Sequence, residues 1–292
     1  MTTSAQSPTT TAHVQRMHTV GRACAEASKW MRRAAMLLDV AAATIAVLGL
    51  SGARASPSWT AVGALALAIS AALLRARATV VRERGLEARR QSLHAFAGTQ
   101  EIAAVDVVDA ESRVGAWGAR LRTGISDDIS AYYDPKAGAG PHRLRELVAY
   151  SAHFSRRLLE RQALAAGAVA AVLLVVGLLA LFGLIISPPG LAQQGPIFDA
   201  VLGTLLGVFC VRAAHHAFDS WRAALQIRPL AIQLTAPREL GRADIDAVVT
   251  KYELQVQTAP EPWTAIYVAM KPTLEREWSG IRAELPTKGI EP

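Results

Sequence analysis

Long apolar runs alternate along the chain with stretches in which apolar positions recur every three or four residues. The longest run, Ala163 to Ile186 (ALAAGAVAAVLLVVGLLALFGLII), holds no charged or strongly polar side chain. At 1.5 Å per residue it exceeds the roughly 30 Å of bilayer hydrocarbon, which predicts a membrane-crossing helix. Trp59 to Leu74 (WTAVGALALAISAALL) is shorter and rich in alanine, with Trp59 at one end and Arg75 and Arg77 at the other as interfacial anchors. Two weaker runs accompany these: Ala34 to Leu50, which contains Asp39, and Ile197 to Val211, which contains Asp199. Each faces a stronger run across a short, turn-rich, nearly uncharged segment, SGARASPS (51–58) or SPPGLAQQGP (187–196), as the tip of a helical hairpin requires. The pattern predicts an all-α integral membrane protein with four transmembrane helices in two hairpins and a helical cytosolic domain. Taken alone, the two weaker runs also suit buried helices of a soluble domain.

The expected organisation is a cytosolic N-terminal segment over 1–33, a first transmembrane hairpin over 34–75, a cytosolic helical stalk over 76–161, a second hairpin over 162–212 and a cytosolic C-terminal helical region over 213–292. The polar leader, about 12 residues, reads as disordered. Arg75 onward continues the second crossing as a helix, with Val81, Leu86, Leu93 and Phe96 loosely on one face and Gly85 weakening it. Val105, Val108, Val114, Trp117, Leu121 and Ile125 approximate helical spacing within 102–129. After the break KAGAG (136–140), Pro141 starts a helix whose stripe of Leu144, Leu147, Val148, Ser151, Phe154 and Leu158 runs directly into the third crossing. From Pro141 to Ile186 this helix would measure on the order of 70 Å. The fourth crossing extends through Phe218, Trp221 and Leu225 and is expected to end before Pro229. Asp244 to Gln257 forms a further helix. The last helix, from Trp263, carries Ile266, Tyr267, Met270, Leu274, Trp278, Ile281 and Leu285 at a period near 3.6, and Pro272 should kink it. That face either packs on the stalk or lies on the inner leaflet.

Charge sharpens the topology. Of the 31 Lys and Arg residues only Arg54 falls in a hairpin tip, so the positive-inside rule places both termini and the central segment in the cytoplasm. Mean hydropathy of +0.23 with 19% charged residues agrees with a membrane protein, and the +7 formal charge is accounted for by topology without a nucleic-acid polymer as partner. Two cysteines, Cys24 and Cys210, can build neither a disulfide framework nor a cysteine zinc site.

Chemistry-bearing residues are few. Asp39, within the first run, is either a pore-lining carboxylate or one neutralised near the interface by Lys29, Arg32 or Arg33. Asp199 is a second pore-lining candidate, or a helix-start residue. His215 and His216 point about 100° apart on a helix, and His142 and His153 lack a placed carboxylate, so no metal site is expected. Gly98, Gly115, Gly118 and Gly124 do not compose a phosphate loop, and no nucleophile-elbow, Walker, Rossmann or zinc-protease spacing occurs. Neither an enzyme nor a cofactor is expected. Ala64, Ala68 and Ala72, like Gly203 and Gly207, recur at four-residue spacing and suit close helix packing, between copies or within one.

The segment ISAYYD (129–134), followed by a short break, Pro141 and RLRELVAYSAHFSRRLLERQ (143–162) entering a crossing, resembles the SMODS-associated four-transmembrane effector family. In that family an aromatic pair precedes a Leu/Arg-rich helix feeding the third crossing; Tyr132, Tyr133 and Asp134 stand in that place, and Trp263 within PEPWTAIY (260–267) is similar to the family's proline-aromatic ending. The resemblance implies a pore-forming homo-oligomeric effector of bacterial antiphage defence that responds to a cyclic oligonucleotide and permeabilises the inner membrane. Arg143, Arg145, Arg156 and Arg157 are the candidate contacts for that anion or for lipid phosphate, or else topology anchors. A non-conducting scaffold or sensor that recruits a partner protein would show the same topology.

Overall fold

The computed structural model describes residues 8–50, 57–122, 129, 133, 135–186 and 195–285. Among these the regular structure is entirely helical, in seven elements: α1 (Pro8–Leu50), α2 (Pro57–Ala97), α3 (Ala104–Arg122), α4 (Pro141–Ile186), α5 (Gly195–Thr235), α6 (Arg242–Thr258) and α7 (Thr264–Glu284). α1 includes residues 8–12 of the leader expected to be disordered. Pro8 suits a first helical position, where its missing N–H costs nothing. α4 has the bounds expected from sequence, 46 residues from Pro141 to Ile186. Among the described residues two helices carry a stretch long and apolar enough to cross a membrane, α2 within Trp59–Ala97 and α4 within Pro141–Leu179.

The chain divides into two compact units. Unit 1 is drawn from Met1–Ser28, Thr79–Arg161 and Trp221–Pro292, unit 2 from Lys29–Ala78 and Gln162–Ser220. α1, α2, α4 and α5 each supply residues to both.

Unit 1 is built around the first part of α4, in which Leu144 to Phe154 are all buried. Val14, Met17 and Val20 of α1, Val107 of α3, Ile227 and Leu234 of α5, Ile245 and Val249 of α6, and Leu274 and Trp278 of α7 close on it. Each such side chain contributes about 1.5–3 kcal/mol on burial. On α5 the buried positions Ser220, Ala224, Ile227, Ala231 and Leu234 alternate steps of four and three, the seam of a coiled-coil-like helix. That seam explains why α5 continues through Pro229, where the sequence predicts an end. Pro229 lies on the exposed side, so the carbonyl it frees faces outward while the seam holds the helix on both sides of it. α7 likewise runs through exposed Pro272. Its apolar face packs on the core through Leu274 and Trp278, with Ile266, Tyr267, Met270, Ile281 and Leu285 against them, which decides between the two placements open to it.

His18 of α1 is buried in this unit, and burial, reinforced by Arg89 and Arg22, pushes its imidazole down to about 4. The unfolded chain takes up the proton near pH 6.5 and the native state only near 4, so the stabilisation is complete above pH 6.5 and is lost as pH falls towards 4. The loss is on the order of 3 kcal/mol. Thermal melts from pH 4 to 7 are expected to show this slope in the wild type and a clearly shallower one in His18→Leu; equal slopes would refute it.

Unit 2 has the opposite distribution of side chains. Among the described residues its buried apolar side chains are all alanine, Ala35, Ala42, Ala71, Ala78, Ala166 and Ala170, while Leu65, Leu73, Leu164, Val172, Leu179 and Phe182 face outward. Neighbouring positions show the contrast: Ala71 is 0% exposed and Leu73 66%. Ala71 and Ala78 turn inward on α2, whereas Ala68 and Ala72, two members of the expected packing stripe, are exposed. Gly207 has open space around it, and the side-chain surroundings of position 203 lie outside the described residues.

Candidate functional site

In unit 2, Asp39 of α1 accepts from two arginines on other helices. Arg75 Nη1 of α2 and Arg212 Nη1 of α5, the latter at 3.0 Å, converge on the same carboxylate oxygen, Oδ2. The three side chains range from mostly to half covered, and together they carry one net positive charge. Both arginines immediately follow apolar segments, 59–74 and 197–211, so a single acid, itself within the 34–50 run of α1, gathers three helices at the level where the apolar segments of α2 and α5 end. Sequence spacing singled out Asp39 as either a pore-lining carboxylate or one neutralised by cations of its own helix. The partners 36 and 173 residues away give no local signal.

One helical turn or more beyond Arg212 lies a buried polar network that the sequence reading passed over. Gln162 Nε2 of α4 is 3.0 Å from His216 Nε2 and donates to Ser220 Oγ at 3.1 Å, and Ser220 donates to the His216 carbonyl at 2.8 Å. An amide nitrogen only donates, so His216 accepts at Nε2 and is neutral. With the Cys210 thiol donating to the Ala170 carbonyl at 3.2 Å, these contacts set α4 and α5 antiparallel. His215 instead pairs with Asp219 at 2.8 Å. Among the described residues no three His, Cys, Asp or Glu side chains assemble as a metal would require.

In unit 1 the four arginines singled out as anion contacts are engaged with the protein itself. Arg145 is 4% exposed and clamps the end of α5, donating to the carbonyls of Leu234 (2.9 Å), Ala236 and Arg238 (3.1 Å). Burial lowers its guanidinium from the ordinary arginine range. Arg143 donates to the Ala137 and Phe96 carbonyls and lies over the Phe96 ring. Arg156 pairs with Glu160 at 2.8 Å and Arg157 with Glu277 at 3.3 Å. His153 Nε2 lies 3.2 Å from Glu277, yet burial outweighs that carboxylate and lowers the imidazole from its ordinary value. Beside them Glu146 receives Arg282 Nε at 2.8 Å and the backbone N–H groups of Lys136 and Ala137.

The motif residues separate. Tyr133 is buried, its ring edge-on to Tyr150 at 5.6 Å and its hydroxyl accepting from Arg89 at 3.0 Å; Tyr150 in turn packs against Trp278 at 5.4 Å. Trp263 stands at the N-cap of α7, its carbonyl accepting the Tyr267 N–H. Tyr132 and Asp134 lie outside the described residues, as does the side chain of Asp199, whose backbone belongs to α5. No protein-family model, curated protein or solved structure matches this chain.

Proposed function

We propose that this protein crosses the bacterial inner membrane four times with both termini cytoplasmic, assembles as a homo-oligomer, and opens an ion-conducting or membrane-disrupting path in antiphage defence, gated by a cyclic-nucleotide signal. The observation that carries the membrane reading is the side-chain distribution of unit 2. Water would drive Leu73, Leu164 and Leu179 inward; lipid is as apolar as they are, and lets small residues take the helix contacts instead. The Asp39–Arg75–Arg212 cluster supports counting the weaker segments of α1 and α5 as crossings, because they share a polar boundary with α2. Because four helices contribute to both units, a change in unit 1 has continuous elements along which to act. An anionic messenger at Arg156 and Arg157 would compete with Glu160 and Glu277 for the same guanidinium groups.

The scaffold reading is favoured by one feature, the engagement of the candidate arginines in internal bonds. Inducible expression with a membrane-potential dye separates the two. Depolarisation and growth arrest are expected for the effector, and abolition of both by Asp39→Asn if Asp39 lines the path; an intact potential under activating conditions leaves the scaffold. Reporters fused within 51–56 and 187–194 are expected on the non-cytoplasmic side, and a cytosolic reporter at either tip refutes the four-crossing topology.

A further inference from the structure

We propose that copies of this chain join head to tail through unit 1, the α3 face of one copy seated on the α5 face of the next. The inference rests on the homo-oligomeric reading above and names the surfaces that reading would use. On α5, Trp221 (54% exposed), Leu225 and Ile232 project outward at steps of four and seven residues, flanked by exposed Arg222 and Arg228. On α3, Val105 (70% exposed) and Val108 project outward among exposed Glu101, Asp106 and Asp109. Arg113 pairs with Asp109, and Asp106 also accepts the Ala103 N–H at its own helix start, which leaves this face net acidic. An apolar centre rimmed by basic groups thus has its counterpart in an apolar centre rimmed by acidic ones.

The two faces are distinct patches, since α3 rests on α1 and α2 through Arg16–Glu111 and Arg84 to the Arg113 carbonyl, whereas α5 rests on α4 through Arg145. They also lie at one height. Asp106 and Asp109 border a groove with Glu87 and Gln91 of α2; Arg89, between those two, reaches Ser151 of α4 at 3.5 Å. Arg145 of α4 meets Leu234 of antiparallel α5, so the level of Ser151 falls about six residues before Leu234, near Arg228. Complementary patches at equal height let a rotation about an axis along the bundle close a ring, as a membrane-embedded assembly requires, where a height offset would drive a filament.

The test uses the full chain in lipid nanodiscs with Cys24→Ala and Cys210→Ser removing the native thiols. Val108→Cys combined with Leu225→Cys is expected to give a bismaleimide-crosslinked ladder. In the background without added cysteines, Arg222→Glu with Arg228→Glu, or Asp106→Lys with Asp109→Lys, should each weaken self-association roughly tenfold, and the four changes together, or a mixture of the two variants, should restore it. The four reversed positions are exposed, and melting temperatures read against the Cys24→Ala/Cys210→Ser background report folding independently; Asp106→Lys gives up the bond at its own helix start and Asp109→Lys the pair with Arg113. An oligomeric wild type that ignores both reversals, or reversals that the combination fails to rescue, overturns this interface and leaves the oligomer reading standing. A monomeric wild type overturns that reading itself.

Discussion

Arg145→Ala is expected to lower the stability of unit 1 by about 2–4 kcal/mol. The guanidinium is buried and serves three carbonyls beyond the last turn of α5, at Leu234, Ala236 and Arg238. Truncation strands the Leu234 carbonyl away from water, at the desolvation cost of an orphaned acceptor, and also removes the bonds to Ala236, which is half-buried, and to Arg238, which is exposed. Arg145→Lys keeps the charge but replaces a planar fork with a single ammonium, and should recover only part of the loss. Arg143→Ala, at a half-exposed position, should cost about 1 kcal/mol. Chemical denaturation of the three variants checks the order; an Arg145→Ala loss no larger than that of Arg143→Ala would remove the clamp. The consequence for function is direct: a null phenotype at Arg145 reports a lost helix end, so ligand sensing has to be probed at Arg156 and Arg157.

Gly85→Ala should destabilise by about 1–3 kcal/mol, against the usual gain of a Gly-to-Ala change in a helix. A Cβ at Gly85 would stand 2.6 Å from the Cys24 Cβ and 3.1 Å from the Gly21 carbonyl, and one at Gly21 would stand 3.1 Å from the Gly85 carbonyl. The two glycines face each other where α1 and α2 cross, and neither opposing atom is the far end of a flexible side chain, so the helices must part. Gly280 of α7 has open space around it, and Gly280→Ala should stabilise by about 0.5–1 kcal/mol. Opposite signs for the two substitutions in thermal melts are the expected result; two gains would mean that the α1–α2 approach is looser than the structure has it.

Gly85 also illustrates how far the sequence could be read. Seen along the chain it weakens a helix, and only its neighbour across the crossing, 64 positions earlier at Gly21, turns it into a contact. The helices themselves were legible because their apolar stripes are local: Leu144 to Leu158 announces the α4 core face, and Leu274 with Trp278 the buried face of α7. Pro229 was misleading because propensity is local while the seam that carries α5 past it belongs to the packed unit. Among the candidate site residues, Asp39 stood out as an acid in an apolar run, but its partners did not, and Arg145 looked like its neighbours in an Arg-rich stretch until burial separated it from them.

By itself the order of residues determined an all-helical chain, the start of α4 at Pro141, the uninterrupted passage of that helix into the most apolar run, and the crowding of basic residues away from the hairpin tips. These depend on periodicity, hydropathy and charge, which act over a few turns. Tertiary structure alone decided which arginines hold Asp39, that Arg145 caps α5, that Gln162, His216 and Ser220 share a network, and which alanines of α2 turn inward. Each of these depends on which helix lies alongside which and in what register, and contacts between residues tens to hundreds of positions apart leave no trace in local spacing.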